Sequence, residues 1–182
     1  MYMWIIGIVV GLIIIYGLIE NNKFIKLNNQ VKEAFATMDV YLKKRWNLIP
    51  NLVEVVKGYS IYEKNTLENV IRLRNTSYED MSNTTKLEVN NKINYAINVL
   101  MAITEKYPEL KANDNFKNLS NELLQVENDI ANSRKYYNGA VRLYNNKVEM
   151  FPSSLVAKVL GYKTQKMFEA NSDERNNVKV EL

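Results

Sequence analysis

Residues 116–151 read FKNLSNELLQVENDIANSRKYYNGAVRLYNNKVEMF, and their spacing decides the fold. Phe116, Leu119, Leu123, Val126, Ile130, Ser133, Tyr137, Val141, Tyr144, Val148 and Phe151 recur at steps of three and four, which sets them on one face of a single long helix. Shorter versions of the same stripe run Leu27, Val31, Ala34, Met38, Leu42, then Leu52, Val55, Val56, Tyr59, then Ile93, Ile97, Leu100, Thr104, Tyr107. No stretch alternates with the period of a strand. Six Gly and three Pro in 182 residues are few, which also favours long helices over turn-rich β architectures.

The breaks between stripes are marked. Pro50 disfavours an uninterrupted helix, so a turn or a second helix is expected there, with Asn47 as a cap. Ser77–Thr84 is polar and reads as a loop, and Thr85-Lys-Leu-Glu88 has the form of a capping box opening a third helix. Pro108 stops that helix, Asn113 or Asp114 caps the fourth, and Pro152 ends it. A short helix Leu155–Leu160 capped by Ser153 or Ser154 and closed by Gly161 follows, then a polar tail. Short connections between long helices make antiparallel neighbours. The expected fold is all-α: an N-terminal transmembrane helix (1–19) continuing into an antiparallel up-down four-helix bundle (20–170) with coiled-coil-like packing, and a tail over 171–182.

The transmembrane reading rests on charge. Met1–Ile19 carries none, and all 44 charged residues lie from Glu20 onward. About 20 apolar residues suffice for a helix to cross a bilayer, and Tyr2, Trp4 and Tyr16 stand where amphipathic rings favour the interface. A cleaved signal peptide would need a basic leader and a small-residue cleavage site, and neither is visible. Lys23, Lys26 and Lys32 follow the span, so the positive-inside rule predicts a single-pass cell-membrane protein with a short external N-terminus and a cytoplasmic helical domain. Gly7-Ile-Val-Val-Gly11 has the GxxxG spacing of closely packed membrane helices, although glycine is common in such helices for other reasons.

Zero Cys and zero His exclude disulfides, thiol catalysis, Cys/His zinc sites and His-containing triads. Glu54, Glu63, Glu122 and Glu127 are available carboxylates with no short spacing to converge them, and Gly58 and Gly139 are isolated rather than part of a phosphate loop. No catalytic residue, metal ligand or cofactor site is expected, and the chain is read as not an enzyme, with a lipid-acting enzyme as the distant alternative. Lys43-Lys44-Arg45 is the densest basic run. At about 1.5 Å per residue, Lys44 lies roughly 36 Å along a continuous helix from Glu20, several Debye lengths from the bilayer. Without a wider basic field or an aromatic platform, nucleic acid is not an expected partner; the run is either a solvated face or a contact for an acidic patch. Tyr137-Asn138 and Tyr144-Asn145 repeat at a spacing of seven, returning to one helix face. They read either as polar pairs between packed helices or as a hydrogen-bonding groove for a partner helix or peptide, and Arg134 and Glu127 on the same helix would serve either. Leu155, Val156, Val159, Leu160 and Tyr162, interleaved with Lys158, Lys163 and Lys166, either are membrane-surface contacts, because counting helix reversals returns this segment to the bilayer, or cap the membrane-side end of the bundle.

Two blocks carry a family resemblance. One is Asp39-Val-Tyr-Leu-Lys-Lys-Arg45-Trp-Asn-Leu-Ile-Pro-Asn-Leu-Val-Glu-Val-Val-Lys-Gly-Tyr59 followed by Glu63; the other is Glu127-Asn-Asp-Ile-Ala-Asn-Ser-Arg134 with the two Tyr-Asn pairs and Phe151-Pro-Ser153. With Tyr107-Pro-Glu-Leu-Lys111 they resemble the LemA family of bacterial membrane proteins, from the span to about Glu169. Trp46-Asn47 departs from the His-Asp type pair more usual there. The resemblance implies one N-terminal span and a four-helix cytoplasmic domain, and it supplies no activity. The expected role is a membrane-anchored scaffold or adaptor in contact with the lipid bilayer and an unidentified protein partner, self-association included. An accessory subunit of a membrane enzyme, such as an envelope protease, is the alternative.

Overall fold

The computed structural model describes residues 2–59, 64–72 and 77–168, and every regular element among them is helical. In chain order these are α1 (Tyr2–Lys57), α2 (Lys64–Arg72), α3 (Asn83–Glu105), α4 (Pro108–Ala112), α5 (Asp114–Glu149) and α6 (Ser153–Leu160), with a 3₁₀ turn at Tyr78–Asp80. The expected tail over 171–182 and Glu63 lie outside the described residues.

Pro50 does not end α1, which continues through it to Lys57. The expected turn and Asn47 cap are therefore replaced by uninterrupted helix. An interior proline costs a helix about 3 kcal/mol or more. Leu48, Ile49, Leu52, Val53 and Val56 are all buried around it, and each buried side chain of this size stabilises by about 1.5–3 kcal/mol. The packing outweighs the proline. Farther on, α3 opens earlier than the Thr85 box predicts, because Ser82 is the cap and its hydroxyl accepts the Thr85 N–H at 3.1 Å. Asn113 caps α5 as expected, its side chain accepting the Phe116 N–H at 3.0 Å. The apolar stripe of α5 is buried from Phe116 to Tyr144 apart from a half-buried Leu119, and Phe151 at its end is 79% exposed.

Two compact units divide the described chain: residues up to Thr37 with Ser133–Phe168, and Met38–Asn132. In the second, Asp39 pairs with Lys86 at 2.7 Å and Arg45 with Asn90 at 2.6 Å, so α3 runs parallel to the end of α1. Tyr59 pairs with Asn113 at 2.8 Å and Arg45 with Glu127 at 2.6 Å, so α5 runs antiparallel to it. The chain therefore comes back between Tyr59 and Tyr78, and α2, whose Leu67 and Val70 are buried, lies between them in sequence. In the first unit Glu20 pairs with Lys147, and the Phe35 and Tyr137 rings meet edge-on at 5.8 Å, again antiparallel. Gly161 closes α6 with φ 76°, a left-handed cap that side-chain-bearing residues adopt poorly, and turns the chain into an extended segment.

Candidate functional site

The first unit holds an extended peptide in a cradle of amide side chains. Asn138 and Asn145 stand seven residues apart on α5, nearly one above the other. Asn145 donates to the Gln165 carbonyl and accepts from the Gln165 N–H, both at 2.8 Å. Asn138 repeats this paired contact with the backbone of Phe168, also at 2.8 Å twice. Two helical turns rise about 10.5 Å and three residues of extended chain cover about 9 Å, so the register of helix and segment matches. On α1, Asn21 and Asn28 repeat the same spacing of seven. Asn28 accepts from the Gln165 side chain and Asn21 from the Tyr162 hydroxyl, each at 2.8 Å.

The segment presents every third residue inward: Tyr162 and Gln165 are half-buried and Phe168 is buried, while Lys163, Thr164, Lys166 and Met167 are exposed. That is the periodicity of a polyproline-II-like chain, with three residues per turn, rather than of a strand. Tyr162 stacks on Phe24 with ring centroids 4.6 Å apart, Arg134 lies over the Phe168 ring at 4.1 Å, and the Tyr137 hydroxyl donates to the Lys166 carbonyl at 3.0 Å. Burial raises the Tyr137 and Tyr144 phenols above their usual range, so both stay neutral at physiological pH. At the end of the apolar stretch, burial alone would raise the Glu20 carboxyl, but ion pairs with Lys147 and Lys23 outweigh it and hold the group below its usual value.

The second unit treats the basic run differently. Arg45 is 1% exposed and is held by Glu127, Asn90 and Asn94. Its neighbours stay at the surface, Lys43 against Glu79 at 2.6 Å and Lys44 against Glu122 at 3.1 Å. The tripeptide is thus one buried cation and two exposed ones. Asp39 accepts from Tyr78 and pairs with Lys86, and burial followed by that hydrogen bond holds the Tyr78 phenol far above its usual range. Trp46 is buried with its ring 5.6 Å from Tyr78.

Of the predicted site residues, Arg134, Tyr137, Asn138, Tyr144 and Asn145 come together on the cradle. Leu155, Val159 and Leu160 are exposed on α6, Val156 is half-buried, and Tyr162 packs on Phe24. Asn21, Asn28, Gln165 and Phe168 were not among the candidates. The heptad spacing of Asn21 and Asn28, identical to that of Asn138 and Asn145, is the signal that could have found the first two.

The model of the LemA family matches residues 34–182, which takes in the Arg45 network, both Tyr-Asn pairs and the segment they hold. The chain belongs to the LemA family. It is 25% identical to Protein LemA of Metamycoplasma hominis over 160 residues, covering 87% of this chain and 73% of that protein. Magnetosome protein MamQ 2 of Paramagnetospirillum magneticum and magnetosome protein MamQ of Magnetospirillum gryphiswaldense are each 22% identical, covering 84% and 83% of this chain. The chain spans 65% of the length of both magnetosome proteins. Among the described residues α1 is the one helix long and apolar enough to cross a membrane, and its apolar window is not buried in the protein. This is a membrane-associated LemA-family protein.

Proposed function

We propose that this LemA-family protein is a single-pass, membrane-anchored adaptor without catalysis of its own, its helical units on the cytoplasmic side, and that it engages protein partners through extended chain segments. The observation that carries this reading is the cradle: four asparagines on two helices meet an extended chain, and two of them pair with its backbone rather than with its side chains. Main-chain pairing gives affinity for any extended segment, and the pockets for every third residue add selectivity. The orientation rests on Lys23, Lys26 and Lys32 directly after the span.

Two measurements test it. A photo-crosslinker at Asn146, exposed beside the cradle, should give either a ladder of self-assembled species or one discrete heteromeric product in intact membranes. Purely intramolecular products would remove the adaptor reading. A cysteine introduced at exposed Thr84 should resist an impermeant thiol reagent until the membrane is opened; labelling of intact cells would reverse the orientation.

A further inference from the structure

A groove of about 560 Å³ lies between the second half of the span and α6. Ile13, Gly17 and Leu18 form one wall, and Leu155, Val156 and Leu160 the other. The volume falls within the roughly 300–1,000 Å³ of small-molecule sites. Its place along α1 fixes its surroundings. Glu20, ion-paired with Lys147 and Lys23, is the first charge after the apolar stretch and marks where the helix leaves hydrocarbon. Ile13 lies about 10 Å deeper at 1.5 Å per residue. That depth corresponds to the 5–10 Å by which interfacial helices sink into the headgroup and acyl boundary. One wall of the groove is thus the membrane helix itself, and what fills it comes from the bilayer.

The chemistry of α6 agrees. Leu155, Val159 and Leu160 are exposed, Val159 to 85%, so α6 presents apolar surface beyond what its own unit covers. Lys158 borders that apolar arc and Lys163 follows the Gly161 cap; both are exposed and have no acidic partner among the described residues. Long lysine side chains can reach from such a helix toward headgroups while the apolar face stays in lipid. We propose that this groove is a lipid site: it takes one acyl chain of a phospholipid with an anionic headgroup, which Lys158 and Lys163 meet at the surface. The proposal rests on the membrane reading of α1, and it makes α6 a second point of membrane attachment with a preference for lipid charge.

The chain has no cysteine, so Val156→Cys places one environment-sensitive fluorophore in the groove. The labelled full chain is reconstituted into phosphatidylcholine vesicles holding a minor fraction of phosphatidylglycerol, with acyl-chain bromines on one lipid or the other. At equal mole fraction, brominated phosphatidylglycerol should quench the label severalfold more than brominated phosphatidylcholine. Replacing both lysines (Lys158→Gln, Lys163→Gln) should erase that excess, since each lysine near a bilayer favours anionic lipid by about fivefold. Gly17→Leu should reduce quenching by both lipids, because a Cβ at Gly17 meets nothing within 4 Å and the larger side chain fills the groove without strain. Equal quenching by the two lipids, or a Gly17→Leu protein that quenches like the parent, overturns the site. A Val9→Cys label on the span serves as the separate control: if it too is unquenched, the membrane reading of α1 has failed rather than the groove.

Discussion

Arg45 in one unit and Asn138 with Asn145 in the other are polar groups set into helix faces that are otherwise apolar, and they are satisfied in opposite ways. Arg45 is a charge, 1% exposed, tied to the side chains of α3 and α5. Burying it has no low-energy alternative once its partners are gone, so the network fixes which helices pack and in what register. The asparagines are neutral and bind backbone, and their segment lies near the surface with exposed residues between the inward ones. Water can replace each of those hydrogen bonds at modest cost. On the adaptor proposal, the first arrangement locks a fold and the second holds a segment that can be exchanged.

The comparison breaks most visibly at Arg45. Arg45→Ala leaves Asn90 and Glu127 without their cation and should destabilise the protein by about 3–5 kcal/mol, read as a lowered urea midpoint of the full chain in detergent micelles. Glu127→Gln should cost about as much, because it takes the carboxylate away from a guanidinium that is 1% exposed. A Glu127→Gln midpoint that barely moves would mean that Arg45 is not a buried charge that depends on this carboxylate.

Tyr144 tests the other unit's core beneath the cradle. It is 3% exposed, so Tyr144→Ala should cost about 3–5 kcal/mol by the large-to-small rule for buried aromatics. A melt that barely moves would make Tyr144 part of an exposed surface instead.

Helix content and the α5 stripe were readable because periodicity reports burial directly, and Phe116, Leu123, Val126, Ile130, Tyr137, Val141 and Tyr144 are all buried. Pro50 was misleading because a local rule lost to packing contributed by residues distant in sequence. Arg45 was grouped with Lys43 and Lys44 as one basic run, since charge patterning says nothing about which way each side chain turns. The Tyr-Asn pairs were singled out, and a groove for a helix or peptide was one of two readings. That the peptide would be residues 162–168 of the same chain was not legible, because Tyr162-x-x-Gln165-x-x-Phe168 has no strand or helix period and its inward residues appear only once α5 supplies the asparagines.

A smaller effect sharpens the contrast in exchangeability. Asn145→Ala or Asn138→Ala should each release one paired contact, at about 1–2 kcal/mol. The amides of Gln165 and Phe168, which these side chains accept from, should then exchange hydrogen about 5–30-fold faster. The urea midpoint of the helices should stay put. If the midpoint falls as far as for Arg45→Ala, the segment is an integral part of the core and not a displaceable ligand.

The smallest effect concerns Glu20, where a charge serves the unit otherwise held by neutral amides. Its carboxyl is depressed in the folded protein, so the stability it contributes is present above the unfolded value of about 4.3 and is lost as pH falls through the lower folded value. Lys23 is 55% exposed, which screens its share, and Lys147, 24% exposed, carries more of the pairing. Acidifying from neutral to about pH 3 should therefore loosen the last turn of α5 against α1, read as faster amide exchange around Lys147, and Glu20→Gln should remove that pH dependence. Lys147→Gln should be the more harmful change at neutral pH, because it leaves a carboxylate that is only 3% exposed with a single, mostly solvated partner. If instead Glu20→Gln is the more harmful of the two, the carboxylate is making a contact that its lysines do not account for, and the anchor end of α1 is held by something other than this ion pair.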